Sequence, residues 1–124
     1  MIEETLASLI QKQNRKPNEI VIVNGGGKNN CKNILNKWKN KYSFIKIIET
    51  NNINLSASRN IGLPKCSGDL ILQTDDDARP YPDWIERIIA AHLFYKNVGV
   101  IGGEVLDNNS HNFLSKIADI VTFP

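Results

Sequence analysis

Long apolar runs are missing from this sequence. None approaches the roughly 20 residues that a membrane-crossing helix needs. Cysteine is scarce: Cys31 and Cys66 are the only two, far apart and in segments predicted to be helical. One pair makes no disulfide framework, and no histidine or cysteine cluster stands close enough to suggest zinc. The expectation is two reduced thiols in a cytoplasmic protein. The opening "MIEETLASLI" is acidic and has no basic n-region or small-residue cleavage site, so it does not read as a signal peptide. Aromatics make up only 7% and are not interleaved with basic residues, which argues against a stacking platform for nucleic acid. The run Gly25-Gly26-Gly27 is neither GxGxxG nor a P-loop, because no Gly-Lys-Ser/Thr follows it.

What is present suits one domain or part of one: 124 residues, 41% hydrophobic and 23% charged. The net charge of +2 hides an asymmetry. Residues 1–48 carry nine Lys/Arg against three Glu, and residues 49–124 carry six against ten acids. From Lys28 to Lys46 six lysines meet no acid. A solvated helix face explains this, and so does a surface facing phosphates or the cytoplasmic face of an anionic membrane.

Periodicity divides the chain into alternating helices and strands. Met1 to Asn14 predicts an amphipathic helix with Ile2, Leu6, Leu9, Ile10 and Gln13 on one face. Ile20 to Val23 is a continuous β-branched run, as expected of a strand buried on both faces of a parallel sheet. Cys31 to Lys41 predicts a second helix with Ile34, Leu35 and Trp38 inward, and Phe44 to Thr50 a second strand. Asn54 or Ser56 can cap a short helix that Pro64 ends. Leu70 to Thr74 predicts a third strand, and Val98 to Val105 a fourth. Between them Pro82 and Asp83 open a long helix, with Trp84, Ile85, Ile88, Ile89 and His92 inward. A last helix is expected over Phe113 to Val121. Helices alternating with buried strands give an α/β protein with a Rossmann-like parallel sheet.

The third strand delivers Asp75, Asp76 and Asp77. In open α/β sheets ligands bind beyond the carboxyl ends of the strands. The Asn24–Gly27 turn leaves the first strand at the same end, so two loops converge on one crevice. Carboxylates are hard oxygen ligands suited to Mg²⁺ or Mn²⁺, which often share substrate phosphates. A divalent cation on Asp75 and Asp77 would relieve their repulsion, and Asp76 would point to the other side of the strand. A plain solvated turn is the alternative.

Together these segments resemble the inverting family-2 glycosyltransferases of the GT-A fold. "LASLIQKQNRKPNEIVIVNGGG" is similar to their first helix and second strand, which ends in "VDGGS". "SASRNIGLPKCSGDLILQTDDD" is similar to "xxARNxGxxxAxGxxIxFLDxDD", "YPDWIERII" to "xPDWLExxx", and "VGVIGGEV" to the strand that follows. The resemblance implies that Asp75 and Asp77 hold the metal, Mg²⁺ or Mn²⁺, of a DxD motif. It implies a nucleotide-diphosphate sugar donor (UDP-, dTDP- or GDP-linked) bound by Asn24, Gly25, Arg59, Asp75 and Asp76. Arg59 would lie by the base, and Asn24 would accept a hydrogen bond from it. The sugar would pass to an acceptor hydroxyl, in cell-wall or polysaccharide synthesis.

Three departures qualify the resemblance. Asn24, Gly27 and Asn29 stand where the family has Asp, Ser and Asp, and an amide accepts more weakly than a carboxylate. The family's first strand, "VSVIIPTYN", has no counterpart here. No counterpart of the acceptor half or its catalytic "ED" base is found, and Asp107 and Asp119 lack its context. The expectation is a partial donor-binding domain over residues 1–124 with little or no transferase activity alone. Two rivals remain open: a degenerate binding domain, and a phosphotransferase with a strand-end aspartate nucleophile. Arg79 counts against the second, because a "DxDxT" site wants threonine there.

Overall fold

The computed structural model describes residues 1–25, 31–51 and 54–106. They fall in two units, Met1–Arg87 and Ile88–Pro124. The first contains helix α1 (Ile2–Ile10), strand β1 (Ile20–Asn24), helix α2 (Lys32–Lys41), strand β2 (Ile45–Glu49) and helix α3 (Leu55–Gly62). A 3₁₀ turn over Leu63–Lys65 follows, and helix α4 (Trp84–Phe94) crosses the boundary between the units.

The expected parallel pairing is present. β1 and β2 run parallel with Ile20 opposite Ile45, Ile22 opposite Ile47 and Asn24 opposite Glu49. Parallel neighbours need a crossover connection, and α2 supplies it. Side chains alternate across a strand, so Ile20, Ile22, Ile45 and Ile47 share one face. That face packs with Leu6 and Ile10 of α1 and Leu35 and Trp38 of α2 to make the core. Leu6, Leu35 and Ile45 are almost wholly buried. Contrary to the sequence reading, β1 is half-buried along its whole length rather than buried on both faces.

The opposite face of β1 receives α3. A Cβ built on Gly62 would stand 3.0 Å from Val23 Cγ2. Glycine is therefore what lets the end of α3 lie against the strand. Of the two expected caps of α3 the structure uses Asn54, whose side chain accepts from the Ala57 N–H at 3.1 Å. Pro64 does end α3, but the chain goes on for one 3₁₀ turn, where a proline near the start leaves no donor unmet.

α1 stops at Ile10, four residues short of expectation. Lys16 Nζ donates to the carbonyls of Gln11 and Gln13 at 2.9 and 2.8 Å, in place of further helical turns. Gln13 is buried as its place on the apolar face implied, but beyond the helix end.

Two expected strands are absent among the described residues. Residues 70–74 and 98–105 belong to no ladder, and the sheet has two strands. A strand exists only where a neighbour takes up its N–H and C=O groups. The run 70–74 is half-buried at Leu70 and Leu72 but 42% exposed at Ile71. One face of it is covered, and no strand among the described residues pairs with its backbone.

The second unit is described over residues 88–106. It holds the later part of α4, a turn in which Asn97 takes the left-handed conformation that asparagine tolerates (φ 63°), and an irregular segment. His92, expected inward, is exposed. Gly26, Gly27, Lys28 and Asn29 lie outside the described residues, as do the expected helix over 113–121 and Asp107, His111 and Asp119.

Candidate functional site

The two strands end at Asn24 and Glu49, and the ladder closes with the Thr50 N–H donating to the Asn24 carbonyl at 3.0 Å. The side chains also meet: Asn24 Nδ2 donates to Glu49 Oε2 at 3.0 Å. A shallow cleft of about 70 Å³ opens beside this strand end, lined by Ile22, Asn24, Cys31, Leu35 and Asp76 among others. A larger cleft of about 310 Å³ lies between α1 and α2, lined by Glu3, Gln11, Lys37 and Lys41. It contains none of the residues expected to bind a donor, so the chemistry points to the smaller one.

The aspartates form a turn, closed by the Ala78 N–H donating to the Asp75 carbonyl at 3.3 Å. All three are exposed. Asp76 was expected on the far side of a strand, but alternation holds only for extended chain. In the turn Asp76 joins Asn24 on the cleft wall. Arg59, on α3, directs Nη2 to Asp75 Oδ1 at 3.3 Å. Four of the expected site residues, Asn24, Arg59, Asp75 and Asp76, are thus linked through one cleft and one ion pair. Gly25 follows Asn24 and is half-buried, and Asp77 lies on the aspartate turn.

What holds the turn was not legible in the sequence. Thr5 of α1 is buried, and its Oγ1 donates to the Asp76 carbonyl at 2.8 Å. Gln13 is 2% exposed and donates Nε2 to the Tyr81 carbonyl at 2.6 Å and the Ser8 carbonyl at 3.2 Å. Its Oε1 accepts from the Ile85 N–H at 3.3 Å. Glu4 pairs with Arg79, and that partner holds its carboxyl below the usual range. At the other end Glu19 accepts from Lys46 at 2.5 Å, from the Ser67 N–H, from Ser67 Oγ at 2.9 Å and from the Gly68 N–H at 3.2 Å. These donors, Lys46 first, lower the Glu19 carboxyl to about 2. The segment from Ser67 to Ile85 is therefore fastened at one end to Glu19, the residue preceding β1, in its middle to Thr5 and Glu4 of α1, and at the other end to Gln13 just past α1.

The lysine-rich helix α2 shows both solvated and paired charge. Lys37 meets Glu3 at 3.4 Å, and Lys39 and Lys41 are exposed. Lys41 also lies 5.3 Å from the Tyr42 ring centroid. No helix among the described residues is long and apolar enough to cross a membrane.

The donor set at the aspartate turn is carboxylate oxygen in open solvent, which suits a hard divalent cation. Among the described residues no three His, Cys, Asp or Glu side chains converge on one point. A cation held at such a turn would have to complete its shell from a substrate's phosphates and water, and would not be caged by protein alone.

Comparison with known proteins adds a family. The sequence model described as glycosyl transferase family 2 matches residues 1–118. The cholesterol galactosyltransferase of Borreliella burgdorferi is 39% identical over 77 residues, covering 60% of this chain and 22% of that protein. The hyaluronan synthase of Pasteurella multocida is 26% identical over 125 aligned residues, 97% of this chain and 13% of that protein. The glucosyl-dolichyl phosphate glucuronosyltransferase of Haloferax volcanii is 28% identical over 103 residues, 83% of this chain and 33% of that protein. The chain therefore spans a third or less of the length of these relatives. No solved structure matches.

Proposed function

The chain belongs to glycosyl transferase family 2, and from that premise we propose that the strand-end cleft binds the nucleotide-diphosphate part of a sugar donor. The observation that carries this reading is the Arg59–Asp75 contact at 3.3 Å beside the Asn24–Asp76 cleft. Three motifs separated in sequence meet there with complementary chemistry. An exposed ion pair of this kind contributes little stability, about 0–1 kcal/mol, so the fold does not depend on it.

In this reading Asn24 accepts from the base and Arg59 lies alongside it. Asp75 and Asp77 hold Mg²⁺ or Mn²⁺, which when bound neutralises charge developing on the departing diphosphate. Thr5, Gln13 and Glu19 fix the backbone that presents the aspartates, so little ordering is left to be done at binding. The transfer itself, to an acceptor hydroxyl with inversion, belongs to the whole enzyme. The chain's similarity to a galactosyltransferase, a hyaluronan synthase and a glucuronosyltransferase supports sugar transfer as the general activity.

Calorimetric titration of the chain with UDP, dTDP and GDP, with Mn²⁺ and with EDTA, tests the reading. Saturable binding of at least one, lost with EDTA and in Asp75→Asn, is expected. Equal binding with and without metal would remove the aspartates from the site.

A further inference from the structure

β1 and β2 end level, with Asn24 and Glu49 as register partners. Their contact is chemically one-sided. A carboxylate only accepts, so Asn24 must turn its nitrogen toward Glu49, and Nδ2 stands 3.0 Å from Oε2. Turning the carboxamide over would set its oxygen against an anion. The planar group therefore keeps Oδ1 on the branch away from Glu49, on a residue that lines the cleft with Asp76.

We propose that Glu49 sets the nucleobase selectivity of the cleft by holding the Asn24 carboxamide with its oxygen as the acceptor offered to the base. The inference rests on the donor-cleft reading above. An oxygen acceptor wants a ring N–H: N3–H of uracil or thymine, or N1–H of guanine. Cytosine has a bare acceptor at N3, so its lone pair would face another lone pair. A site with one hydrogen-bonding sense disfavours the base of opposite sense, because the mismatched pair loses its bond and sets two lone pairs against each other. Glu49 is a positioning residue and touches no substrate. The pair also accounts for asparagine at position 24: an aspartate there would put a second carboxylate against Glu49.

UDP and CDP differ at this ring nitrogen and carry the same diphosphate and ribose, so their ratio isolates the effect. Calorimetry with Mn²⁺ on the unaltered chain is expected to show UDP bound about tenfold more tightly than CDP, the worth of one hydrogen bond and its mismatch. In Glu49→Ala the carboxamide is released to turn, and the ratio falls below about threefold. In Glu49→Lys the ammonium donates to Oδ1, Nδ2 turns to the cleft, and the preference moves to CDP. Glu49 is exposed at a strand end, so thermal melts of both variants should match the parent; Glu49→Lys serves if Glu49→Ala does not fold. A parent that binds both nucleotides equally overturns the proposal, as does a ratio unchanged in the variants. Binding of no nucleoside diphosphate at all refutes the donor-cleft reading, and this inference with it.

Discussion

Thr5 and Gln13 sit on or just past one short helix, and each spends its side chain on backbone 68 to 72 residues away. Thr5 takes the Asp76 carbonyl and Gln13 takes the Tyr81 carbonyl and the Ile85 N–H. Losing a partner costs more than the bond itself is worth, because the group left behind stays desolvated. Gln13→Leu leaves the Tyr81 and Ser8 carbonyls and the Ile85 N–H unmet. Denaturant unfolding should show a loss of roughly 2–3 kcal/mol. Thr5→Val removes one bond with little change of shape and should cost about 1 kcal/mol. If the turn depends on Thr5 for its position, nucleotide binding in Thr5→Val weakens beyond what the stability loss explains. Short sequence patterns single out Asn24, Arg59 and Asp75, and the fold pairs Arg59 with Asp75 and sets Asn24 on one cleft with Asp76. The roles of Thr5, Gln13, Glu19 and Glu49 were not legible in the sequence, because their partners are set by the fold.

Among the elements, α3 and the segment before the aspartates depend on two local devices. Gly62 allows α3 to approach Val23. Gly62→Ala gains about 0.5–1 kcal/mol of helix preference against a tight contact, and the two nearly cancel. Gly62→Val has no such offset, and chemical denaturation should show a loss of about 2 kcal/mol from overpacking. Glu19 acts through pH. Its folded-state carboxyl lies at about 2 against an ordinary 4.5, so its contribution is complete above pH 4.5 and is lost as pH falls through 2. Thermal melts of Glu19→Gln should run below the parent at neutral pH. The gap should narrow between pH 4.5 and 2. The helices and the β1–β2 pair followed from periodicity, which is local. The runs 70–74 and 98–105 have the composition of strands but no ladder partner among the described residues. Composition alone cannot supply the neighbour on which a strand depends.

For the whole molecule we propose that Asn24, Arg59, Asp75 and Asp77 act together on a nucleoside diphosphate with a divalent cation. The end of β1 sets Asn24 on the cleft that Asp76 also lines, Arg59 of α3 reaches Asp75, and Thr5 of α1 holds the aspartate turn through the Asp76 carbonyl. The most direct measurement is calorimetric binding of a nucleoside diphosphate panel with Mn²⁺, to the parent chain and to Asp75→Asn and Arg59→Ala. Saturable, metal-dependent binding of at least one uracil, thymine or guanine nucleotide is expected, weakened at least about tenfold in each variant by the lost charge-assisted contact. Binding of none, or binding unchanged by both substitutions, would contradict the proposal.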